Sequence, residues 1–376
     1  MTDNRPSFTF GIEEEYHLVD LDTRNVAPRP PALMAALERE VGDRVSPEFM
    51  RSQIEVATGI RTSFKNARKE LAELRQAVGR VALQHGLAPI AAGTHPFSTL
   101  DCTGPSDKER YRGIAEDLAG ASRRLVVCGM HVHVGIEDDE TRIDLMNQAR
   151  YFLPHLLALS TSSPFWQGVD TGLKGYRLAA YNTIPRTGLP GRFESWHEYQ
   201  RTVEVLVQGG VIEDVSHIWW DIRPSAKFQT LELRAPDVCT RLDDAIAIAA
   251  LYVSIVRMLY RLRRSNLRWR TYPVFLLSEN RWRAKRYGVK GSLLDFGKGT
   301  LVPMADLVDE LIGLTAEDAA ALDCTREVAH ARSIAAEGSS ADRQLAVYER
   351  ALAAGADQPE ALRCVVDHLR AETLQV

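Results

Sequence analysis

Between residues 125 and 136 every second residue is apolar: Val126, Cys128, Met130, Val132, Val134 and Ile136. The residues interleaved with them include Gly129, His131, His133 and Gly135. Side chains of a strand point alternately to opposite faces, so this segment offers one face to a core and the other to ionisable groups. The same division recurs elsewhere. In residues 8–19, Phe8, Phe10, Ile12, Tyr16 and Leu18 share a face, and Gly11, Glu13, Glu15 and His17 take the other. Glu14 interrupts the apolar side, which suggests a position near the strand end. Glu13 and Glu15 project together, roughly 7 Å apart along the strand. In residues 230–235, Leu231, Leu233 and Ala235 oppose Thr230, Glu232 and Arg234. Asp221 and Arg223 share a face in residues 219–224, and Gln53 and Glu55 share one in residues 52–59.

A sheet with one wet side accounts for polar alternation in any single strand. Together, however, these faces lack Lys and gather Glu, His and Arg around small Gly residues. Carboxylates facing one another repel unless a cation joins them. Mg²⁺ and Mn²⁺ take carboxylate oxygens and accept a His among their ligands. Arg223 and Arg234 supply planar donors for phosphate or carboxylate. The expected object is a sheet whose concave face binds metal and an anionic ligand. His131 and His133 also fit a zinc pair, although no third His or Cys stands at a tight spacing. His17 reads as a surface or capping residue. His95 reads either as part of a turn or as a group at a strand end near the site. The stretch at residues 280–287, NRWRAKRY, fits a solvated helix face or a nucleotide-phosphate clamp, with Arg281 and Arg286 as its candidates. P-loop, dinucleotide and nucleophile-elbow motifs are absent.

The rest of the chain reads mainly as packing. Residues 63–85 form a helix capped by Ser63, with a stripe of Phe64, Ala67, Leu71, Leu74 and Val78. Residues 87–92 are a short strand. Residues 141–159 are helical, kinked or divided by Pro154. Residues 160–196 are rich in Ser, Gly and Pro, but their aromatics favour an ordered loop. Residues 243–264 form a helix with Asp243 as N-cap. From about residue 302 the chain is a helical layer without a chemical constellation. The 376 residues carry 46 Lys+Arg against 50 Asp+Glu, which argues against a basic nucleic-acid surface. The apolar run at 245–256 is too short for a spanning helix, and the polar start lacks a signal peptide's apolar core, so no membrane partner is expected. The 5 cysteines are scattered without a CxxC pair, which suits a reducing cytoplasm and no disulfide framework.

Six stretches, taken in order, resemble the type 2 glutamate–cysteine ligase family, whose members are often described as carboxylate–amine ligases. They are FGIEEEY at 10–16, SQIEVATG at 52–59, CGMHVHVG at 128–135, SSPFW at 162–166, WWDIRP at 219–224 and LELR at 231–234. The resemblance implies an α+β, glutamine-synthetase-like fold: a curved, mainly antiparallel sheet forming a cup, with helices outside. The resemblance covers about residues 8–287; one catalytic domain over residues 1–376 is expected, with about 302–376 as its helical layer. It also implies ATP-dependent amide formation with Mg²⁺ or Mn²⁺. Glu13, Glu15, Glu55, His131 and Glu232 are then the expected metal ligands, and Arg234, Arg223 and His133 the catalytic groups. By the resemblance, Arg234 is expected at the nucleotide, and Arg177 and Tyr181 loosely match the family's substrate-contacting segment; the residues' own pattern adds Arg281 and Arg286 at the nucleotide and Gln53 at the substrate. A carboxylate, the γ-carboxylate of glutamate by expectation, attacks ATP to give an acyl phosphate, and an amine then displaces phosphate. Two other readings use the same face: a metal-dependent hydrolase, and a non-catalytic nucleotide- or amino-acid-binding protein. A homodimer is the default assembly.

Overall fold

The computed structural model describes residues 6–99, 103–106 and 109–376; residues 1–5 and Cys102 lie outside them. Among the described residues seven strands form one sheet: β1 (Phe10–Asp20), β2 (Val45–Pro47), β3 (Gln53–Ala57), β4 (Leu87–Ile90), β5 (Met130–Gly135), β6 (Ile222–Pro224) and β7 (Thr230–Leu233). Their order is β6-β7-β5-β1-β3-β2, with β4 paired to the second half of β1. Every pairing is antiparallel, as expected for an α+β fold of this kind.

Alternation explains how the sheet is buried. Ile12, Ile54, Val56, Val132, Val134, Leu231 and Leu233 are fully buried and belong to one core cluster. The helix Phe64–Leu83 packs on that side through Phe64, Ala67, Leu71, Leu74 and Val78, and Ser63 Oγ accepts from Asn66 N at its start. The helix Leu242–Arg264 is the centre of the layer. It is long and apolar enough to cross a membrane, but residues 245–256 are all buried inside the fold, which accounts for their apolarity on every side. Asp243 lies in its first turn rather than at the N-cap, which is Arg241, and Asp243 pairs with Arg68 at 2.6 Å.

Pro154 divides its segment as expected. The helix Asp139–Ala149 passes through a tight turn at Arg150–Phe152 into the helix Leu153–Ser160, with Pro154 in its first turn. Residues 160–196 are ordered. They contain the strand pair Phe165–Trp166 and Val169–Asp170, the helix Arg177–Tyr181, and Thr187–Gly188 paired parallel to Trp219–Trp220. Beyond a hairpin of Ser292–Asp295 with Thr300–Pro303, the chain is helical from Met304 to Leu374 apart from short turns. Its last helix sets Val365, Val366 and Leu369 against Ala88 and Ile90.

Several expectations need correction. Glu14 is not near a strand end, because β1 continues to Asp20; its side chain lies fully buried on the core side with Arg75. His17 is not at the surface: it is fully buried. Strand β5 begins at Met130 rather than at residue 125, since Ala119–Leu125 is a 3₁₀ helix. Asp221 interrupts the strand that contains Arg223, and parity fails there: Arg223 faces the cup while Asp221 is buried in an ion pair with Arg281. His95 is a turn residue: its Nδ1 accepts from Ser98 N at 2.9 Å, and its Nε2 lies 2.9 Å from Arg24 O.

Candidate active site

The sheet register sets the ionisable residues in a row. Arg223 is opposite Glu232 on β6 and β7, and Glu232 is opposite His133 on β5. His131 is opposite Glu13 on β5 and β1, and Glu15 is opposite Glu55 on β1 and β3. The row lines a cavity of about 330 Å³ together with Gln53, Arg177, Tyr181, Arg234 and the residue Glu48. Phe49, Ile114, Val127, Ile184 and Trp219 complete it with apolar surface.

The β6–β7 end is cationic. Arg223 Nε donates to Glu232 Oε2 at 2.9 Å, and Arg234 Nη1 donates to Glu232 Oε1. Burial opposes the charge on Glu232, but Arg234 and Arg223 outweigh it and hold the carboxyl far below its ordinary range. Lys227 and Phe228, in the turn between these strands, border the cavity beside them.

The β1–β3–β2 end is acidic. Glu15 and Glu55 face one another directly across the strands, an unfavourable arrangement for like charges. Burial, with the nearby Glu48, pushes Glu15 up to about 7. Burial, with Glu13, Glu48 and Glu15, raises Glu55 well above the usual carboxylate range. Glu15 is partly satisfied by Gly129 N–H at 2.6 Å, and Glu55 by Ser46 Oγ at 3.1 Å.

Two histidines stand between the ends. His131 Nδ1 lies 3.1 Å from Glu13 Oε2, and His133 Nε2 lies 3.3 Å from Glu13 Oε1. Burial and Arg234 push His131 down to about 4. Burial opposes protonation of His133 as well, but Glu13 and Glu232 overcome it and raise its pKa. His133 Nδ1 is 2.9 Å from Thr230 Oγ1. Among the described residues His131 Nε2 has no hydrogen-bond partner, and the nearest carboxylate oxygen in an ion pair with it, Glu15 Oε1, is 3.6 Å away.

These residues fit a divalent cation. Glu13, Glu55 and His131 each bring a ligand atom within 4.8 Å of the others, and so do Glu15, Glu48 and Glu55. The set is oxygen-rich with one imidazole, which suits Mg²⁺ or Mn²⁺. The unpartnered His131 Nε2 and the opposed carboxylates are what such ions relieve. Glu48 was not anticipated: it follows the three-residue β2, where Pro47 interrupts any alternation. Glu232 stands with Arg223 and Arg234, and the two ligand clusters do not include it.

Other expected groups fall in different places. Arg177 lines the cavity, but its guanidinium is turned to backbone: Nη1 donates to Pro236 O at 3.0 Å and reaches the carbonyls of Arg234 and Ala235 at 3.3 Å. Gly129 makes room for it, since a Cβ there would lie 2.1 Å from Arg177 Nη2. Tyr181 packs under the same guanidinium at 5.7 Å. Gln53 spends its amide on the wall, with Nε2 donating to Val127 O at 2.7 Å and Oε1 accepting from Met50 N at 3.2 Å. Arg281 and Arg286 are not brought to the cavity. Arg281 is buried against Asp221, with Nη2 to Oδ1 at 2.9 Å, and Arg286 donates to Gly172 O.

Comparison with known proteins agrees with this geometry. The model of glutamate–cysteine ligase family 2 matches residues 9–368. The chain is 57% identical over 374 residues to a Rhodospirillum rubrum protein named "Putative glutamate--cysteine ligase 2", covering 98% of this chain and 96% of that one. It is 42% identical over 374 residues to a Solibacter usitatus protein of the same name, covering 99% and 95%. Among solved structures, a glutamate–cysteine ligase from Francisella tularensis in complex with AMP shares the fold with a TM-score of 0.69 at 12% identity, covering 99% of this chain and 91% of that one. A bifunctional glutathione synthetase from Pasteurella multocida also has a TM-score of 0.69, at 16% identity over 97% of this chain; the chain spans 52% of that protein. By family match and by full-length identity, the chain belongs to glutamate–cysteine ligase family 2 and is an ATP-dependent carboxylate–amine ligase.

Proposed function

We propose that the cup joins the γ-carboxyl of glutamate to an amine in two steps, and that the whole chain serves as one catalytic unit. In the first step a carboxylate oxygen bonds to the γ-phosphorus of ATP and ADP leaves. In the second the amine nitrogen bonds to the acyl carbon, phosphate leaves, and the amine gives up a proton. The observation that carries the reading is the row of opposed charges: Arg223 and Arg234 at one end, Glu15 facing Glu55 at the other, in one cavity.

The arginines bind and orient. Arg234 and Arg223 present planar N–H donors in a partly enclosed site, where such donors stabilise developing phosphoryl charge better than water does. Glu232 holds both in place through its two oxygens. Glu13, Glu15, Glu48, Glu55 and His131 are the residues to hold Mg²⁺ or Mn²⁺, which supplies charge neutralisation for the polyphosphate when bound. His133, whose Nε2 lies 3.3 Å from Glu13 Oε1 and whose basicity Glu13 and Glu232 raise, is the group to accept the amine's proton. No protein nucleophile is required. The free Cys128, Cys239 and Cys324 are buried, and with Cys364 they fit a reducing cytoplasm.

The test follows ADP and phosphate in the presence of Mg²⁺-ATP, glutamate and a panel of amines that includes cysteine. ADP release is expected to require both a carboxylate and an amine. Release that ignores either one sinks the ligase chemistry proposed for this cup.

A further inference from the structure

We propose that Arg75 is a positioning residue for the carboxylates of the cup, acting through Glu14 from behind the sheet. This rests on the reading of Glu13, Glu15 and Glu55 as metal ligands. Glu14 sits between Glu13 and Glu15 on β1, and parity sends it to the opposite face. There Arg75, on the helix Phe64–Leu83, meets it with both side chains fully buried. Arg75 Nε donates to Glu14 Oε2 at 2.9 Å and Nη2 to Glu14 Oε1 at 2.6 Å. Tyr16 Oη donates to the same carboxylate. The remaining donors of Arg75 reach Thr240 O at 2.6 Å, Cys239 O at 2.8 Å and Thr373 O at 3.5 Å.

One guanidinium therefore ties three parts of the fold together. It holds the backbone that carries Glu13 and Glu15, the turn that follows Glu232 and Arg234, and the end of the last helix. Apolar side chains of similar volume can replace a buried ion pair at little or no loss of stability, so stability alone gives weak reason for its presence. A planar fork that fixes the rotation and height of the central strand has a geometric use. Glu13 and Glu15 must meet ligands from β3, β5 and the segment after β2, and a small shift of β1 would part them.

The test is Mn²⁺ binding, followed by electron paramagnetic resonance on the purified full chain, with no turnover required. The variant E14L/R75M removes the pair without leaving one buried charge alone. E14Q/R75Q, which keeps polar side chains in the space, serves if the first does not fold; near-ultraviolet circular dichroism reports the fold. A folded double variant is expected to bind Mn²⁺ at least about tenfold more weakly than the unsubstituted chain. Arg75→Lys, which keeps the charge but not the fork, is expected to fall between them. Glu55→Gln is the control. If it weakens Mn²⁺ binding while the folded double variant binds normally, the positioning role is overturned and the metal reading stands. If neither change affects binding, the metal reading itself fails.

Discussion

The two ends of the cup handle buried negative charge in opposite ways. At the β6–β7 end Glu232 has two arginines within bonding distance, and its carboxyl stays ionised well below the usual range. At the β1–β3–β2 end Glu15 and Glu55 face each other, and both are pushed upward by burial and by neighbouring carboxylates. Burial of a charge is tolerated when a counter-charge is built in, and otherwise calls for one from outside. The first end is balanced as folded, and under the proposed reading its arginines hold a phosphate. At the second the carboxyls are pushed toward the protonated form, and the divalent cation proposed above would supply the balance.

The sharpest way to break this contrast is at Glu55, which belongs to both ligand clusters. Glu55→Gln, or removal of divalent ions by chelation, is expected to lower kcat by about 10³-fold, because an ion's charge stabilisation is worth several kcal/mol. Thermal stability of the apo protein should rise or hold in Glu55→Gln, since a repelling carboxylate is gone. A variant with normal metal-dependent turnover would remove Glu55 from the site. The opposite end is probed by Arg234→Met, expected to cost about 10²-fold in kcat. Mn²⁺ affinity should change far less than in Glu55→Gln. Equal losses of Mn²⁺ affinity in the two variants would show that the ends are not separate.

Much of this row was legible from alternation. Glu13, Glu15, Gln53, Glu55, His131, His133, Glu232 and Arg234 share cup faces because a strand leaves them no other direction. What escaped was set by tertiary pairing. Glu48 enters through the pairing of β2 with β3, a strand too short to show a period. Glu14 looked like a defect in the pattern because its partner, Arg75, is 61 residues away on a helix. Arg223 and Asp221 were expected on one face, yet the strand breaks at Asp221 and its carboxylate turns to Arg281. Arg281 itself was ambiguous for the same reason: a basic helical stretch does not reveal which of its cations meets a buried acid.

A smaller effect tests how the arginine end is kept in place. In Gly129→Ala the new Cβ would lie 2.1 Å from Arg177 Nη2, and that guanidinium is buried and bonded to the carbonyls after Arg234. Displacing it is expected to lower kcat by about tenfold, with the fold retained. Arg177→Ala in the same background should then add little, because both changes remove one contact. Fully additive losses would mean that Gly129 and Arg177 act separately.

A third answer to buried ionisation is to stay neutral, and His95 gives the smallest and most easily isolated test. Its Nδ1 must accept from Ser98 N–H while its Nε2–H donates to Arg24 O, an arrangement that only the neutral ring satisfies. Burial pushes its pKa down to about 3. The unfolded chain binds a proton there near the ordinary value of about 6.5, whereas the folded chain does not. The unfolded state therefore holds more protons as pH falls below that value, and stability declines with acidification until the folded pKa is reached. Between pH 6 and 4 this residue should contribute a slope of about 1.4 kcal/mol per pH unit. His95→Gln loses some stability at every pH, but its urea-unfolding free energy should fall less steeply with acid, by about that slope. Equal slopes in the two proteins would show that His95 takes up its proton without unfolding the turn.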